Sequence, residues 1–425
     1  MMMTTHSFFN AALSRLPEPE IFLAAFAVAK SVMHIFESPI MMIRQAVSTL
    51  VSNSQSYFTV RRFFVVLTLI SIGILSLVAF TDLADWILSN IIGVEGQVHR
   101  EAVIILSIFA FFPAVAALRN FMQGIAVLLN KTPLFTAATF CRMVYVFVLV
   151  LLVERLSFLP GAVFAGLMFF TAVGMEGVVI FLGVKLSEKD IPGKLDAAAL
   201  SSENSSPKKS SQNAITHMYI FRFFWPLVIT SLIHMAMAPI VNMGLARSVS
   251  PEIAISAYTV AWNLGILILS PTFMFHQQVI NYFDNTPEKT KSLKKFGLYL
   301  GIVIFLIMLI VSYSSLGFHI MKDLIGVTES IALLARDVLR LMIFMPPIIM
   351  LRQFYWGVLM KEGQTGSVSR GKVANIIALI TVIIILLMIG PANPAIIGAL
   401  AIIIAEGMEV LYLSRSVHRL KILSG

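Results

Sequence analysis

Between residues 30 and 44 an otherwise apolar stretch carries Lys30, His34, Glu37 and Arg44. Their spacings of 4, 3 and 7 put all four on one face of a helix. A lysine and an arginine there hold an anion in complementary ways, the ammonium as a compact charge and the guanidinium as a planar fork for phosphate or carboxylate. His34 can exchange a proton near neutral pH, and Glu37 can tune the charge or couple an ion. Ionisable groups in a bilayer core cost about 2.5–3.5 kcal/mol each on insertion scales, and face a cavity or a partner. Lys30, His34 and Arg44 are therefore expected to line a cavity and attract an anion. A structural alternative stays open: Glu37 pairs with Lys30 or Arg44, and Arg44 snorkels to the surface.

Other ionisable groups lie in apolar surroundings. Arg119 and Arg352 occupy equivalent places in an internal repeat, as do Glu176 and Glu409. Symmetry favours a packing role for both pairs, with phosphate at the membrane surface as the functional alternative for the arginines. With His276, the arginines would extend the basic surface toward the entrance through which an exported anion is first captured. Glu406 has no acidic twin, because position 173 is Val173, so it is a candidate for ion coupling. His234 lies in the middle of an apolar segment; a lone helical histidine is more often a satisfied core group than a ligand.

The elements that position these groups come from a duplication. Residues 19–51 read PEIFLAAFAVAKSVMHIFESPIMMIRQAVSTLV, and residues 251–283 read PEIAISAYTVAWNLGILILSPTFMFHQQVINYF. Pro19/Pro251, Ala25/Ala257, Ser38/Ser270, Pro39/Pro271 and Gln45/Gln277 all keep a spacing of 232. At spacing 233, FPAVAALRNFMQG (112–124) matches MPPIIMLRQFYWG (345–357), and Gly174-Met175-Glu176 matches Gly407-Met408-Glu409. Register held this long marks an internal repeat. The positions equivalent to the stripe are Trp262, Ile266, Leu269 and His276. The shared scaffold therefore does not require Lys30, His34 and Glu37, which raises the functional reading for them.

Apolar runs predict helices at about 19–52, 60–80, 97–130, 134–154 and 160–186, then 214–246, 251–283, 292–315, 328–361, 366–389 and 394–418, with a short amphipathic piece at 83–92. Residues 1–186 form a first bundle, 187–213 a polar linker with the run SSENSSPKKSS, and 214–425 a second bundle. Asn10, Leu13 and Arg15 match Asn242, Leu245 and Arg247, so residues 4–14 read as the end of helix 1. The full counterpart of the helix before Asn242 would need residues upstream of position 1. The expectation is thus about eleven complete helices in two six-helix plans, the first helix truncated, with a gap beside helix 2 that leaves side chains from Phe22 to Phe36 facing lipid. Six helices per half make the halves parallel repeats about an axis along the membrane normal.

Composition agrees. The chain is 58% hydrophobic and 12% charged, with a mean hydropathy of +0.89, against roughly a quarter charged in a soluble domain. That marks a helical integral membrane protein. The net charge of +9 reflects basic loops, not nucleic-acid binding. Arg61, Arg62, Lys131, Lys361, Arg370 and Lys372 fall, with others, on one set of loops, which the positive-inside rule places in the cytoplasm with the linker and the C-terminus. Cys141 is the single cysteine, which excludes an intrachain disulfide framework, and the 23 methionines read as adaptable packing. Residues 1–14 show no signal-peptide pattern. With no GxxxxGK[ST], HExxH or nucleophile elbow in the chain, an enzyme or an ATP-driven pump is not expected.

Two six-helix halves joined by a cytoplasmic linker resemble the multidrug/oligosaccharidyl-lipid/polysaccharide (MATE-like) exporter superfamily. Within it, FWPLVITSLIHMAMAPIVNMGLAR (224–247) and the paired Ser-Pro helices resemble the progressive ankylosis protein and its bacterial relatives. The resemblance implies an all-α fold with two bundles around a central cavity, alternating access, and export driven by an H+ or Na+ gradient without a bound cofactor. The ankylosis branch implies anions such as pyrophosphate, nucleotides or citrate. Truncation of helix 1, which carries a coupling acid in the drug-exporting branch, leaves the coupling ion open. The expected protein is a monomeric exporter of a small-molecule anion in the inner membrane, in contact with membrane lipids. Its rivals are a lipid-linked saccharide flippase, a cationic multidrug exporter and a non-transporting degenerate copy.

Overall fold

The computed structural model of the chain describes residues 4–156, 158–203, 216–283, 287–362 and 364–419. The first half holds α1 (Thr4–Leu13), α2 (Pro19–Met41), α3 (Ile43–Leu50), α4 (Ser54–Ala79), α5 (Leu83–Trp86), α6 (Gly96–Phe109), α7 (Phe112–Leu128), α8 (Pro133–Leu152) and α9 (Gly161–Ser187). α10 (Ile191–Glu203) follows. The second half holds α11 (His217–Met235), α12 (Met237–Ala246), α13 (Pro251–Leu269), α14 (Phe275–Tyr282), α15 (Pro287–Tyr313), α16 (Ser315–His319), α17 (Glu329–Leu341), α18 (Met345–Lys361), α19 (Thr365–Ile389) and α20 (Ile396–Arg419). Every described element is helical.

The repeat is visible element by element. Pro19 and Pro251 start α2 and α13, where a missing N–H costs nothing. Each helix then breaks at its Ser-Pro pair: α2 gives way to α3 at Met42, and α13 passes through a 3-10 turn, Ser270–Met274, into α14. The Asn120 amide donates to the Ile40 carbonyl at the first break (3.1 Å), and its counterpart Gln353 donates to the Phe273 carbonyl at the second (3.1 Å). α5 and α16 each run into a π segment, Ile87–Ile92 and Ile320–Ile325, closed by Gly93 (φ +89°) and Gly326 (φ +88°). Packing repeats too: α2 on α6 and α13 on α17, α3 on α7 and α14 on α18, α7 on α9 and α18 on α20.

Nine described helices are long and apolar enough to cross a membrane, and a tenth span is the pair α6–α7, bent by 48° just before Pro113. The eleventh expected span, 328–361, is broken by a 3-10 turn at Met342–Phe344, and its first piece carries Glu329, Arg336, Asp337 and Arg340. Large apolar side chains on α4, α15 and α19, among them Leu69, Ile310 and Ile377, stand more than half exposed and form the lipid-facing surface of a multi-pass membrane protein.

One expectation about burial changes. Phe22, Leu23, Phe26, Val32 and Met33 are buried rather than open to lipid, because α2 is the central helix and packs on α6, α7, α11 and α13. The polar linker begins with a helix, α10. Its Asp196 accepts a bond from the Ser54 N–H at the start of α4 (2.8 Å), and that bond holds the Asp196 carboxyl below the usual carboxylate range. The run 204–211 lies outside the described residues.

Both halves need a glycine where α7 crosses α3 and α18 crosses α14. A Cβ on Gly124 would stand 2.7 Å from Val47 Cβ; one on Gly357 would stand 2.4 Å from Val279 Cβ and 2.9 Å from the His276 carbonyl. Gly357→Ala therefore has to push α18 off α14. It is expected to cost about 1–3 kcal/mol through overpacking, outweighing the gain of roughly 1 kcal/mol in helix propensity. Gly407→Ala, with no atom within 4 Å of the new Cβ, is expected to leave the unfolding temperature unchanged or raised. Thermal unfolding in detergent separates the two.

Candidate functional site

The first bundle contains an aromatic floor. Phe9, Phe26, Phe109, Phe112 and Phe169 pack ring on ring, with Phe112 stacked on Phe169 at 5.2 Å. Lys30 Nζ lies over Phe26 (5.6 Å) and Phe169 (5.4 Å). Its hydrogen-bond partner is His6 Nδ1 on α1 at 3.1 Å. An ammonium only donates, so His6 accepts through Nδ1 and is the neutral tautomer. Among the described residues no carboxylate lies within 4 Å of Lys30 Nζ. One turn on, His34 Nδ1 donates to Glu37 Oε2 at 2.9 Å, and Glu37 is only 2% exposed. The acid of the stripe thus pairs with its histidine, and with neither Lys30 nor Arg44.

A second layer lies beside the first. Glu176 on α9, 1% exposed, accepts from Arg142 of α8 at 2.6 Å and faces Arg119 of α7 at 3.8 Å. Gln123 and Thr139 also donate to it, at 3.5 and 3.4 Å. Arg142 reaches Thr5 of α1 at 3.0 Å, which ties this layer to the helix that holds His6. Arg44, beyond the break and exposed, donates to Gln123 at 3.4 Å. Five elements therefore converge: α1, α2–α3, α7, α8 and α9.

The second bundle holds the same layer with different charge. Arg352 pairs with Glu406 and lies over Trp356 at 5.2 Å. Glu409 takes Lys372 (2.8 Å), Asn375 (2.9 Å) and Trp356 Nε1 (2.9 Å), and Lys372 also faces Glu406 at 3.8 Å. Two acids meet two cations, so this layer is neutral. Among the described residues of the first-bundle site, the cations Lys30, Arg44, Arg119 and Arg142 stand with the acids Glu37 and Glu176, two more cations than acids when the histidines are neutral. The cation has moved along its helix between the copies: positions 139 and 142 are Thr and Arg, and their equivalents 372 and 375 are Lys and Asn. No group of three or more potential metal ligands occurs among the described residues.

Of the residues singled out from the sequence, Lys30, His34, Glu37, Arg44 and Arg119 come together in the first bundle. Arg352 and Glu406 meet each other in the second. His276, equivalent to Arg44, is half-buried with Nδ1 2.9 Å from the Phe273 carbonyl. The His234 side chain lies outside the described residues. Sequence reasoning missed His6 and Arg142. It also placed Lys372 in a cytoplasmic loop, whereas Lys372 is a buried member of α19, 5% exposed. The exchange of cation between positions 139/142 and 372/375 was the available signal.

The family model for the progressive ankylosis protein (ANKH) matches residues 9–252 and again 212–414. Among solved structures, the chain is similar to an inward-facing multidrug resistance MATE family transporter of the MOP superfamily, at 14% identity over 100% of this chain and 96% of the other, with a TM-score of 0.75. It is similar to a MOP superfamily transporter from Pyrococcus furiosus, described by the reverse polarity of its binding pocket, at 14% identity over 100% and 93%, TM-score 0.58. The lipid II flippase MurJ matches at 15% identity over 99% and 90%, TM-score 0.53. No curated protein matches the chain significantly. The fold is MATE-like, as its sequence suggested.

Proposed function

The chain belongs to the progressive ankylosis protein family, and from that premise we propose that it is a secondary active transporter exporting an organic or phosphorylated anion by alternating access. The observation that carries this is the uncompensated positive charge of the first bundle. Lys30 has no carboxylate within 4 Å among the described residues, its equivalent in the second bundle is the uncharged Trp262, and the Arg352–Glu406–Lys372–Glu409 layer there is neutral. A partly buried cation such as Lys30 without a close counter-ion is unfavourable, and a bound anion supplies the missing charge. Lys30 and Arg142 flank the seat, Arg44 and Arg119 extend it toward the cytoplasmic entrance, and the His34–Glu37 pair is the place where a proton or Na+ exchanges with the anion. Export proceeds across the cytoplasmic membrane, with the C-terminus inside and the monomer as the working unit.

A rival has one observation of its own. A groove of about 850 Å³ opens between α4 and α11, lined by Phe58, Arg61, Arg62, Val66 and His217. Such a groove between the halves is what a lipid-linked anion would need. Proteoliposomes separate the readings when loaded in parallel with labelled pyrophosphate, labelled citrate, a fluorescent lipid pyrophosphate and an organic cation. Saturable movement of pyrophosphate or citrate, dependent on an imposed H+ or Na+ gradient, is the expected result. Movement of the lipid alone assigns a flippase, and movement of the cation alone overturns the anion assignment.

A further inference from the structure

Arg15 and Arg247 stand one repeat apart and do the same thing in opposite directions. Arg247, just after α12 in the second half, donates through Nη1 to the Ile92 carbonyl at 2.8 Å and through Nη2 to Ile91 at 3.0 Å and Asn90 at 3.5 Å. Those carbonyls end the π segment of the first half. Arg15, just after α1 in the first half, donates through Nη1 to the Ile325 carbonyl at 3.5 Å, at the end of the π segment of the second half. Each arginine is braced on its own helix, Arg247 by Met243 O at 2.9 Å and Arg15 by Ala11 O at 2.5 Å.

The chemistry suits the place. The last carbonyls of a helix lack intrahelical partners and carry the negative end of its dipole. A guanidinium presents several donors in one plane and can bridge them where a lysine cannot. Gly93 makes the approach available: a Cβ there would stand 3.2 Å from Arg247 Nη1 and 3.3 Å from its Cζ. On Gly326 it would stand 3.9 Å from Arg15 Nη1, the looser of the two fits. Further bonds cross between the halves nearby: Ser256 Oγ to the Glu20 carbonyl (2.6 Å), Asn242 to the Ala27 carbonyl (3.3 Å) and Asn263 to Asn10 (3.3 Å).

We infer that Arg15 and Arg247 form the outer gate of the transport cycle, a reciprocal clasp in which each half holds the other by the end of a π segment. Alternating access requires the halves to part at this end, and parting breaks the Arg247 fork and the single Arg15 bond. The acceptors are backbone carbonyls, which do not titrate. The clasp therefore opens through events elsewhere in the protein, and Arg247, with three carbonyls, is its stronger arm. This rests on the transporter reading but not on the nature of the substrate. A protein that moves no pyrophosphate yet opens as described below keeps the gate and loses the anion.

Hydrogen–deuterium exchange on the full chain in lipid nanodiscs tests it. In Arg247→Gln, amides of residues 88–94 and 20–27 are expected to exchange about tenfold faster, the scale of a lost charged hydrogen bond. The seam at the opposite end, where Phe224 of α11 packs on Phe63 and Phe64 of α4, is expected to slow in the same sample, because the halves rock as bodies. Arg15→Gln should give the same pattern at smaller amplitude, and Arg247→Lys, which keeps the charge but loses the fork, an intermediate one. Unchanged exchange overturns the inference. So does faster exchange confined to 88–94 with the α4–α11 seam unaltered, since that is a local cap and not a gate. Should Arg247→Gln fail to accumulate, Arg247→Lys and Arg15→Gln are read by the same criteria.

Discussion

Replacing Lys30 with Met is expected to remove most anion transport while leaving the protein as stable as before, or more so. Lys30 is held by a neutral histidine and two ring faces, with no carboxylate within 4 Å among the described residues. Its charge therefore contributes desolvation cost without a matching ion pair, and a flexible apolar stem of similar length keeps the contacts with Phe26 and Phe169. Loss of a charge-assisted contact to the anion is worth about 1.5–3 kcal/mol, roughly ten- to a hundredfold in affinity. Transport in proteoliposomes should fall by that factor, while the unfolding temperature in detergent stays level or rises. A variant that transports normally would make Lys30 a packing residue. One that loses stability in step with transport would assign the lysine to folding.

Glu176→Gln is expected to do the reverse, and more severely. Arg142 and Arg119 both depend on this carboxylate, and all three are buried. Removing the acid strands two arginines in a low-dielectric interior, and breaking a buried pair this way costs about 3–5 kcal/mol. The variant should show a much lower unfolding temperature or fail to accumulate. Glu409→Gln is expected to be milder: Lys372 retains Glu406 at 3.8 Å, and the single Gln oxygen still accepts from one of the two donors, Trp356 or Asn375. If Glu176→Gln and Glu409→Gln are equally stable, the charge asymmetry between the bundles carries no energetic weight.

Much of the fold could be read from the chain because the duplication holds register, and the breaks at Ser-Pro and the glycines closing the π segments follow from it. The stripe on α2 was legible for the same reason a membrane helix is: polar groups stand out against an apolar run, and helical spacing puts them on one face. What could not be read was pairing between distant helices. Glu176 meets Arg142 from another helix, which nothing in the local sequence specifies, and on α2 itself helical spacing leaves Glu37 a choice between His34, Lys30 and Arg44. Lys372 was misplaced because a basic residue two turns from a helix start has the same sequence context whether it points out to a loop or in to Glu409. The burial of α2 was missed because the space beside it is filled from the other half, by α11 and α13, which only the assembled fold reveals.

On the anion-export reading, the excess positive charge of the first bundle seats the anion. Calorimetric titration of pyrophosphate into the purified protein tests it most directly, with Lys30→Met and the surface variant Arg62→Gln alongside. Saturable binding by the parent protein, weakened about tenfold or more by Lys30→Met and untouched by Arg62→Gln, is the predicted result. Equal affinity in the parent and Lys30→Met, or a loss shared equally by Arg62→Gln, would contradict it.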